Sequence, residues 1–165
     1  CMSELTPEIR NAARALIIRE ERILLLRKQG GGRPERFALP GGAQDPGESL
    51  TDALDRECIE EIGTAVAAAE LVYVADFIKL RDTQPPTRRH VVDFLFRCEV
   101  PADYSPHNGE RPDKHQVEVL WMAIADLAKR PLFPHYLSSC IPQLADANRT
   151  LYLGKFDDDA APQEH

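Results

Sequence analysis

The sequence predicts an α/β fold in which a mixed sheet is covered by helices on both faces. Three observations lead to this prediction. Short apolar runs of β-like composition come first, one amphipathic helix lies near the middle, and further strands precede a terminal helical segment. With 165 residues, 43% apolar and 28% charged, the chain has the size and composition of one globular domain. We expect that domain to span residues 1–156, with an acidic, disordered tail at residues 157–165.

The first strands are predicted on either side of a polar turn. After a polar arm at residues 1–10, apolar runs at residues 13–18 and 23–26 are separated by four charged residues. Two short β-rich runs around such a link are typical of a hairpin. Residues 37–40 then form a short strand that leads into a loop rich in glycine and proline.

The central helix is predicted between two sequence signals. Glu48 and Ser49 lie where a helix would begin, since acidic and capping residues are favoured in the first turn. Gly63 lies where a left-handed C-terminal cap would end it. An apolar stripe recurs every four residues between these signals, which indicates that one face of the helix is buried; its members are Leu50, Leu54, Cys58 and Ile62.

The second half of the chain supplies the remaining strands. Residues 66–80 contain β-like segments that would pair with a strong strand at residues 90–100. A long loop follows at residues 101–116, and a loop of this length in a compact domain is often a binding element or a lid. The prediction ends with a strand at residues 117–122, a short helix at 123–129, a helical segment at 134–147 divided by Pro142, and a closing strand at 151–153.

Three carboxylates on the central helix are the main candidates for chemistry. Glu57, Glu60 and Glu61 crowd one side of the helix beside the buried stripe, and like charges at this spacing repel. A solvated acidic face would explain a generic trio. The alternative is a hard divalent cation such as Mg²⁺ or Mn²⁺, which prefers oxygen ligands and would remove both the repulsion and the desolvation penalty.

The spacing of the fixed residues favours the metal interpretation. In order they are Gly42, five residues, Glu48, seven residues, Arg56-Glu57-Cys58, one residue, Glu60-Glu61, one residue, and Gly63-Thr64. The stretch from Gly42 to Thr64 resembles the signature of the Nudix hydrolases, with every polar and glycine position filled. Cys58 and Thr64 stand where that family prefers large aliphatic residues. The resemblance implies a Nudix-type α/β/α sandwich around a mixed central sheet.

The resemblance also implies roles for particular residues. It assigns Glu57, Glu60 and Glu61 to metal binding, together with a backbone carbonyl of the glycine pair, here Gly41. Arg56 would orient Glu57. Glu48 would brace the loop or contact substrate, and a helix-capping role for it is an equal alternative.

The proton acceptor stays open at this stage. Family members use either the first glutamate of the cluster, here Glu57, or a glutamate from a distant loop. Glu118, Glu110 and Asp113 are the distant candidates. Glu118 is preferred because its place three residues before Trp121 resembles a family pattern in which that acidic residue approaches the metals.

Basic residues near the glycine loop are candidates for phosphate binding. Guanidinium groups suit phosphate geometry, and the clamp is expected among Arg27, Lys28, Arg33 and Arg36, with Arg27 and Arg36 chosen. Arg88 and Arg89, at the start of a strand, are further candidates.

Composition narrows the classes of partner. The formal charge of −7 argues against a nucleic-acid surface, which needs clustered Lys and Arg. No apolar run is long enough to span a membrane, and the four cysteines, at positions 1, 58, 98 and 140, show neither metal-ligand nor redox spacing. We expect a cytoplasmic protein with a small-molecule nucleotide substrate. A homodimer is plausible because the family often dimerises.

The sequence therefore predicts a Mg²⁺-dependent hydrolase, with Mn²⁺ as the alternative ion, that cleaves a diphosphate linkage in a nucleoside diphosphate-X compound. Nucleotide sugars, ADP-ribose and nucleoside triphosphates are the expected substrates, and the residues do not select among them. Two alternatives come from other classes. One is a ligand-sensing module without turnover, and the other is an enzyme like the isoprenyl-diphosphate isomerases.

Overall fold

The computed structural model describes residues 4–158, and within them eight strands form one mixed sheet. The strands are β1 (Glu4–Arg19), β2 (Arg22–Gly30), β3 (Arg33–Ala38), β4 (Gly41–Ala43), β5 (Ala67–Arg81), β6 (Thr87–Glu99), β7 (Gln116–Ala123) and β8 (Tyr152–Asp157). Their order across the sheet is β3-β2-β1-β6-β5-β8, with β4 paired to β1 and β7 paired to β2. Strands β1 and β6 run parallel, and β5 and β6 are antiparallel.

The helical segments are α1 (Leu50–Ile62) and α2 (Leu137–Cys140), with 3₁₀ turns at Ile124–Lys129 and Pro142–Ala145. The predicted bounds of α1 are confirmed. Ser49 accepts a hydrogen bond from the amide of Asp52 and donates its own amide to the Asp52 carboxylate, and Gly63 caps the end at φ 77°. This reciprocal capping satisfies amides that the helix leaves unpaired.

The sheet is buried on both faces, as the sandwich requires. Alternate residues of a strand point to opposite faces. On β2, Leu24 and Leu26 therefore join the apolar cluster under α1, whereas Ile23 and Leu25 join the cluster on the other face. That second cluster is covered by α2 and the 3₁₀ turns, so the C-terminal layer consists of short helical pieces.

Two predicted boundaries differ from the structure. Strand β1 begins at Glu4, because its first residues pair in parallel with β6, and residues 4–10 are therefore not an arm. Asp157 ends β8, and Asp158 accepts a hydrogen bond from the amide of Leu80 at 3.0 Å, so order extends two residues beyond the predicted domain end. The rest of the predicted tail, 159–165, lies outside the described residues.

The predicted hairpin between β1 and β2 is confirmed, with Ile18 opposite Ile23. The predicted burial of Cys58 and Cys98 is also confirmed, and both thiols are free. Across residues 4–158, none of the helices has the length and apolar character needed to cross a membrane.

Candidate active site

A cavity of about 320 Å³ lies where the glycine loop and α1 meet the strands β1, β5 and β6. Its volume is at the lower end of the range for small-molecule sites. Apolar side chains such as Leu39, Phe77 and Leu95 line part of it, and many of the other lining residues are charged. The charged members include Glu57, Glu61, Asp93, Asp113, Arg10, Arg14, Lys28, Lys79, Arg81 and Arg89.

Glu61 is the buried carboxylate of this cavity, with only 3% of its surface exposed. Its Oε1 accepts a 3.0 Å hydrogen bond from the amide of Gly41. Burial and the nearby charges of Asp113 and Glu57 raise the pKa of Glu61 to about 9, although the hydrogen bond from Gly41 lowers it. The cavity therefore disfavours a negative charge at this position unless a cation is present.

Glu57 is held in place by the neighbouring side chain. Arg56 Nη1 donates to Glu57 Oε2 at 3.0 Å, while the rest of the guanidinium forks onto Glu48 at 2.7 and 2.9 Å and donates to the Ala43 carbonyl. Arg56 therefore joins the glycine loop to the face of α1 that lines the cavity. The fork and the amide of Asp45 hold the pKa of Glu48 at about 2, which keeps its carboxylate charged.

Each of the two loop glycines lies close to another part of the chain, where a side chain would not fit. A Cβ on Gly42 would lie 2.5 Å from the carboxyl carbon of Glu57, so any other residue at this position would displace that carboxylate. Gly41 has φ 136° and lies against the backbone of Ala13 and Arg14. Its carbonyl, the predicted ligand, accepts a 3.2 Å hydrogen bond from Arg14 Nη1.

Glu60 does not join Glu57 and Glu61 in the cavity wall. Its side chain is half-buried, and its carbonyl accepts a hydrogen bond from the amide of Arg111. Within residues 4–158, no three carboxylate, imidazole or thiolate groups are already gathered as a metal-binding cluster. The structure thus brings two of the three predicted helix carboxylates together, without a complete ligand shell.

The structure places Glu118, Arg27 and Arg36 outside the wall of this cavity. Glu118 lies opposite Arg27 on the paired strands β7 and β2, and Arg27 Nε donates to its carboxylate at 2.7 Å. Arg36 donates to the carbonyls of Gly30 and Pro34. None of these three residues lines the cavity, because the strand register places them elsewhere on the sheet.

Asp113, one of the two candidates from the long loop, does line the cavity, whereas Glu110 does not. The loop is tied to the end of α1, since the amide of Gly109 and the side chain of Gln116 both donate to the Glu61 carbonyl. This brings Asp113 near Glu61, and Lys28 Nζ donates a hydrogen bond to the carboxylate of Asp113. Burial opposes ionisation of Asp113, but the charge and hydrogen bond of Lys28 outweigh it and lower the pKa of Asp113.

Several cations of the cavity were missed by sequence reasoning. Arg10, Arg14, Lys79 and Arg81 occupy alternate positions of β1 and β5. The signal was present as basic residues two or four apart, which lie on one face of a strand. Arg10 and Arg81 lie outside the predicted strands at 13–18 and 66–80, so the pattern was not recognised. Lys79 keeps part of its surface in solvent, yet desolvation, followed by the charges of Arg14 and Lys28, lowers the pKa of its ammonium to about 8.

Asp93 was also missed, because it lies in an apolar strand without any motif. It is 1% exposed, accepts a 2.6 Å hydrogen bond from the Tyr136 hydroxyl and lies 3.5 Å from Arg14 Nε. The hydroxyl is therefore a donor to a buried carboxylate, and burial together with the charge of Asp93 raises the pKa of Tyr136. The buried Asp93 carboxylate thus lies beside the Arg14 guanidinium in the wall of the cavity.

The donor set fits a hard divalent cation. Glu57 and Glu61 offer carboxylate oxygens from adjacent turns of one helix, and Glu61 is buried with no cationic side chain bonded to its oxygens among the described residues. A hard divalent cation at this position would offset the burial that raises the pKa of Glu61.

Comparisons with known proteins identify the family. The model of the NUDIX domain matches residues 8–144. A MutT NUDIX hydrolase from Burkholderia pseudomallei is 25% identical with a TM-score of 0.61, covering 79% of this chain and 95% of that one. A NUDIX hydrolase from Nitrosomonas europaea is 21% identical with a TM-score of 0.64, covering 87% and 93%.

An ADP-ribose pyrophosphatase from Streptococcus suis 89-1591 has the same fold, with 24% identity and a TM-score of 0.56, and the match covers 90% of this chain and 98% of that one. The domain match spans most of the chain and includes the glycine loop, α1 and the strands that form the cavity. The chain therefore belongs to the Nudix family of pyrophosphohydrolases.

Proposed function

We propose that this protein hydrolyses a diphosphate linkage in a nucleoside diphosphate-X compound with the help of Mg²⁺ or Mn²⁺. The observation that carries the proposal is the meeting of Glu57 and Glu61 at the glycine loop, opposite a wall of cationic side chains. Carboxylates suit the metal, and cations suit the phosphate oxygens. The ADP-ribose pyrophosphatase with the same fold supports a substrate of this class.

Glu57 and Glu61 would hold the metal. Glu60 is the third predicted ligand, and its side chain would have to change rotamer to reach the metal. When bound, the metal would neutralise charge on the phosphoryl oxygens and orient a water molecule. The Gly41 carbonyl is a weaker candidate than the sequence suggested, because Arg14 already donates to it.

A residue of the chain can accept the proton that the attacking water loses. Glu57 Oε2 is held by Arg56, whereas Glu57 Oε1 accepts no hydrogen bond from any residue within 4–158. Oε1 is therefore the oxygen we assign to accept a proton from the attacking water. The water oxygen forms a bond to phosphorus, the bridging P–O bond breaks, and the leaving phosphate carries away the electron pair. Asp113 is the alternative acceptor, although its pairing with Lys28 makes it the weaker base.

Cationic side chains stabilise the negative charge that accumulates during this step. Arg14 and Lys28 lie on neighbouring strands next to the two glutamates, and Lys79 faces them from β5. Fixed positive groups at such positions lower the barrier because they need no reorganisation during the reaction.

The proposal is tested with a substrate panel and three variants. The panel contains nucleoside triphosphates, ADP-ribose, nucleotide sugars, dinucleotide polyphosphates and isopentenyl diphosphate. We expect Mg²⁺-dependent hydrolysis of at least one nucleotide, a loss of at least a hundredfold in Glu57→Gln and Glu61→Gln, and no change in Glu99→Gln, which alters an exposed strand residue. Calorimetric titration with Mg²⁺ should show weaker binding in Glu61→Gln and unchanged binding in Glu99→Gln.

Other outcomes of the panel would contradict the proposal. Tight binding of a nucleotide without turnover would favour the ligand-sensing alternative, and conversion of isopentenyl diphosphate would favour the isomerase. Unchanged hydrolysis by Glu61→Gln would overturn the metal assignment. The homodimer stays a prediction that sedimentation can test separately.

A further inference from the structure

Three arginines line the cavity together on strand positions away from the level of Arg14. Arg10 is on β1, Arg89 on β6 and Arg81 on β5, and all three line the cavity. The register places Arg10 beside Val91 and Arg89 beside Lys79, so the three residues lie within two rows of one another on the same sheet face. We call them the arginine trio.

Within residues 4–158 the trio lacks carboxylate ion pairs. None of its three arginines forms one there, although the chain has 27 acidic and 20 basic residues. By contrast, Arg27 and Arg56 each have carboxylate partners. Glu8, Asp45 and Glu48 line a neighbouring cleft with Arg10, but none of them forms an ion pair with the trio.

The three charges also disfavour one another. Burial lowers the pKa of Arg89, and the charges of Arg81 and Arg10 lower it further, with only Glu8 acting in the opposite direction. The Arg89 Nε atom is buried without a hydrogen-bond partner within the described part of the chain. A buried donor without a partner costs free energy that a bound anion would recover.

The trio and the catalytic end occupy different levels of the strands. Arg14 at the catalytic end lies four residues from Arg10 on β1, and the level between them holds Ala12 and the buried carboxylate of Asp93, which both line the cavity. Four residues of extended strand span about 13 Å. A ligand that contacts both the trio and Arg14 therefore needs anionic groups at two positions.

We propose that the arginine trio binds a second phosphate group of the substrate, so that the preferred substrate is a nucleotide with a further phosphate in addition to the diphosphate that is hydrolysed. The inference rests on the proposed function, because the first phosphate group is the diphosphate that is hydrolysed. The second phosphate has two chemical sources, a phosphomonoester on a ribose and the far end of a longer polyphosphate chain.

The first experiment compares substrates that differ in their number of phosphate groups. The pairs are coenzyme A with 3′-dephospho-coenzyme A, and NADPH with NADH, for the phosphomonoester, and diadenosine tetraphosphate with diadenosine diphosphate for the longer chain. We expect kcat/KM to be at least tenfold higher for the more phosphorylated member of at least one type of pair. The type that shows the preference identifies the source of the phosphate.

Variants then link the preference to the trio. Arg89→Gln and Arg10→Gln should reduce the preference by about tenfold or more, which is the effect of losing one charge-assisted hydrogen bond. Arg89→Lys should retain part of it, and this separates loss of charge from misfolding. Arg22→Gln is the matched control, since Arg22 is exposed at the turn between β1 and β2.

A binding measurement separates this inference from the proposed function. Adenosine 3′,5′-bisphosphate and AMP contain no diphosphate linkage, so their calorimetric affinities do not depend on turnover. Hydrolysis without any preference, or a preference that persists in both Gln variants, would overturn the inference and leave the proposed function intact. If no diphosphate is hydrolysed, tighter binding of the bisphosphate that depends on Arg89 would still support the trio, and equal binding would overturn it.

Discussion

Gly42 lies so close to Glu57 that a single added carbon would displace the carboxylate. A Cβ at this position would lie 2.5 Å from the carboxyl carbon and 2.7 Å from each oxygen. The backbone of Gly42 has no positive φ, so alanine would fit the main chain. The reason for glycine at this position is therefore the side chain of Glu57.

Gly42→Ala should reduce activity with little loss of stability. The collision involves the far end of a flexible side chain, which can move away, and a displacement of about 1 Å in a catalytic group can lower kcat about a hundredfold. Steady-state kinetics and thermal melting test this prediction together. Gly41→Ala is the contrast, because its Cβ would meet backbone and its φ is 136°, so we expect loss of the fold itself. Full activity in Gly42→Ala would remove Glu57 from the proposed mechanism.

The fork between Arg56 and Glu48 predicts that Glu48 acts through Glu57. Glu48→Gln weakens the grip on Arg56, and Arg56 then holds Glu57 less well. We expect kcat to fall about tenfold while KM changes little, because the orientation of the base is affected more than substrate binding. A double-mutant cycle with Arg56→Gln should show an effect clearly smaller than the product of the single effects. Independent effects would show that the two residues act separately.

The parts of the site that the sequence predicted are those joined by short-range geometry. Glu48, Arg56, Glu57 and Glu61 lie on one helix and its preceding loop, so their relation follows from helix periodicity and capping. The sandwich was predictable for a similar reason, because continuous apolar runs such as β2 indicate a strand buried on both faces.

The parts that were missed, such as Asp93, or named without being preferred, such as Asp113, depend on contacts between distant segments. Asp113 reaches the cavity only because the loop at residues 101–115 bonds to the end of α1, and Asp93 faces Arg14 only through the parallel register of β1 and β6. The preference for Glu118 came from its distance to Trp121, and sequence distance says nothing about which sheet face it occupies. A shift of one residue in register would move every such side chain to the opposite face.

Lys79 gives the site a dependence on pH. Its pKa of about 8 lies below the ordinary value of a lysine, so the ammonium is charged below pH 8 and neutral above it. Loss of this charge removes a cation from the anion-binding wall, and kcat/KM should fall as the pH rises through about 8. Lys79→Arg should keep kcat/KM flat over the same interval. The same inflection in Lys79→Arg would assign the titration to another group.

The last prediction concerns the buried carboxylate of Asp93, which supports Arg14 from below. Asp93→Asn removes the charge opposite Arg14, and breaking a fully buried pair costs about 3–5 kcal/mol. We expect a smaller loss here, because 25% of the Arg14 side chain is exposed. Tyr136→Phe removes the hydrogen bond to Asp93 Oδ2 and should cost about 1–3 kcal/mol, since it leaves a buried acceptor without its donor.

Urea unfolding measures both free energies. Tyr152→Phe is a matched control, because its hydroxyl donates to Asp76 at the same 2.6 Å distance on a side chain that is 56% exposed. Solvent can replace that donor, so its loss should cost less than Tyr136→Phe. Arg14 also donates to the Gly41 carbonyl, and Asp93→Asn should therefore raise KM in addition to lowering stability. Equal costs for the two tyrosine variants would mean that the hydroxyl of Tyr136 contributes nothing beyond an exposed hydrogen bond, and the buried support for Arg14 would have to come from packing alone.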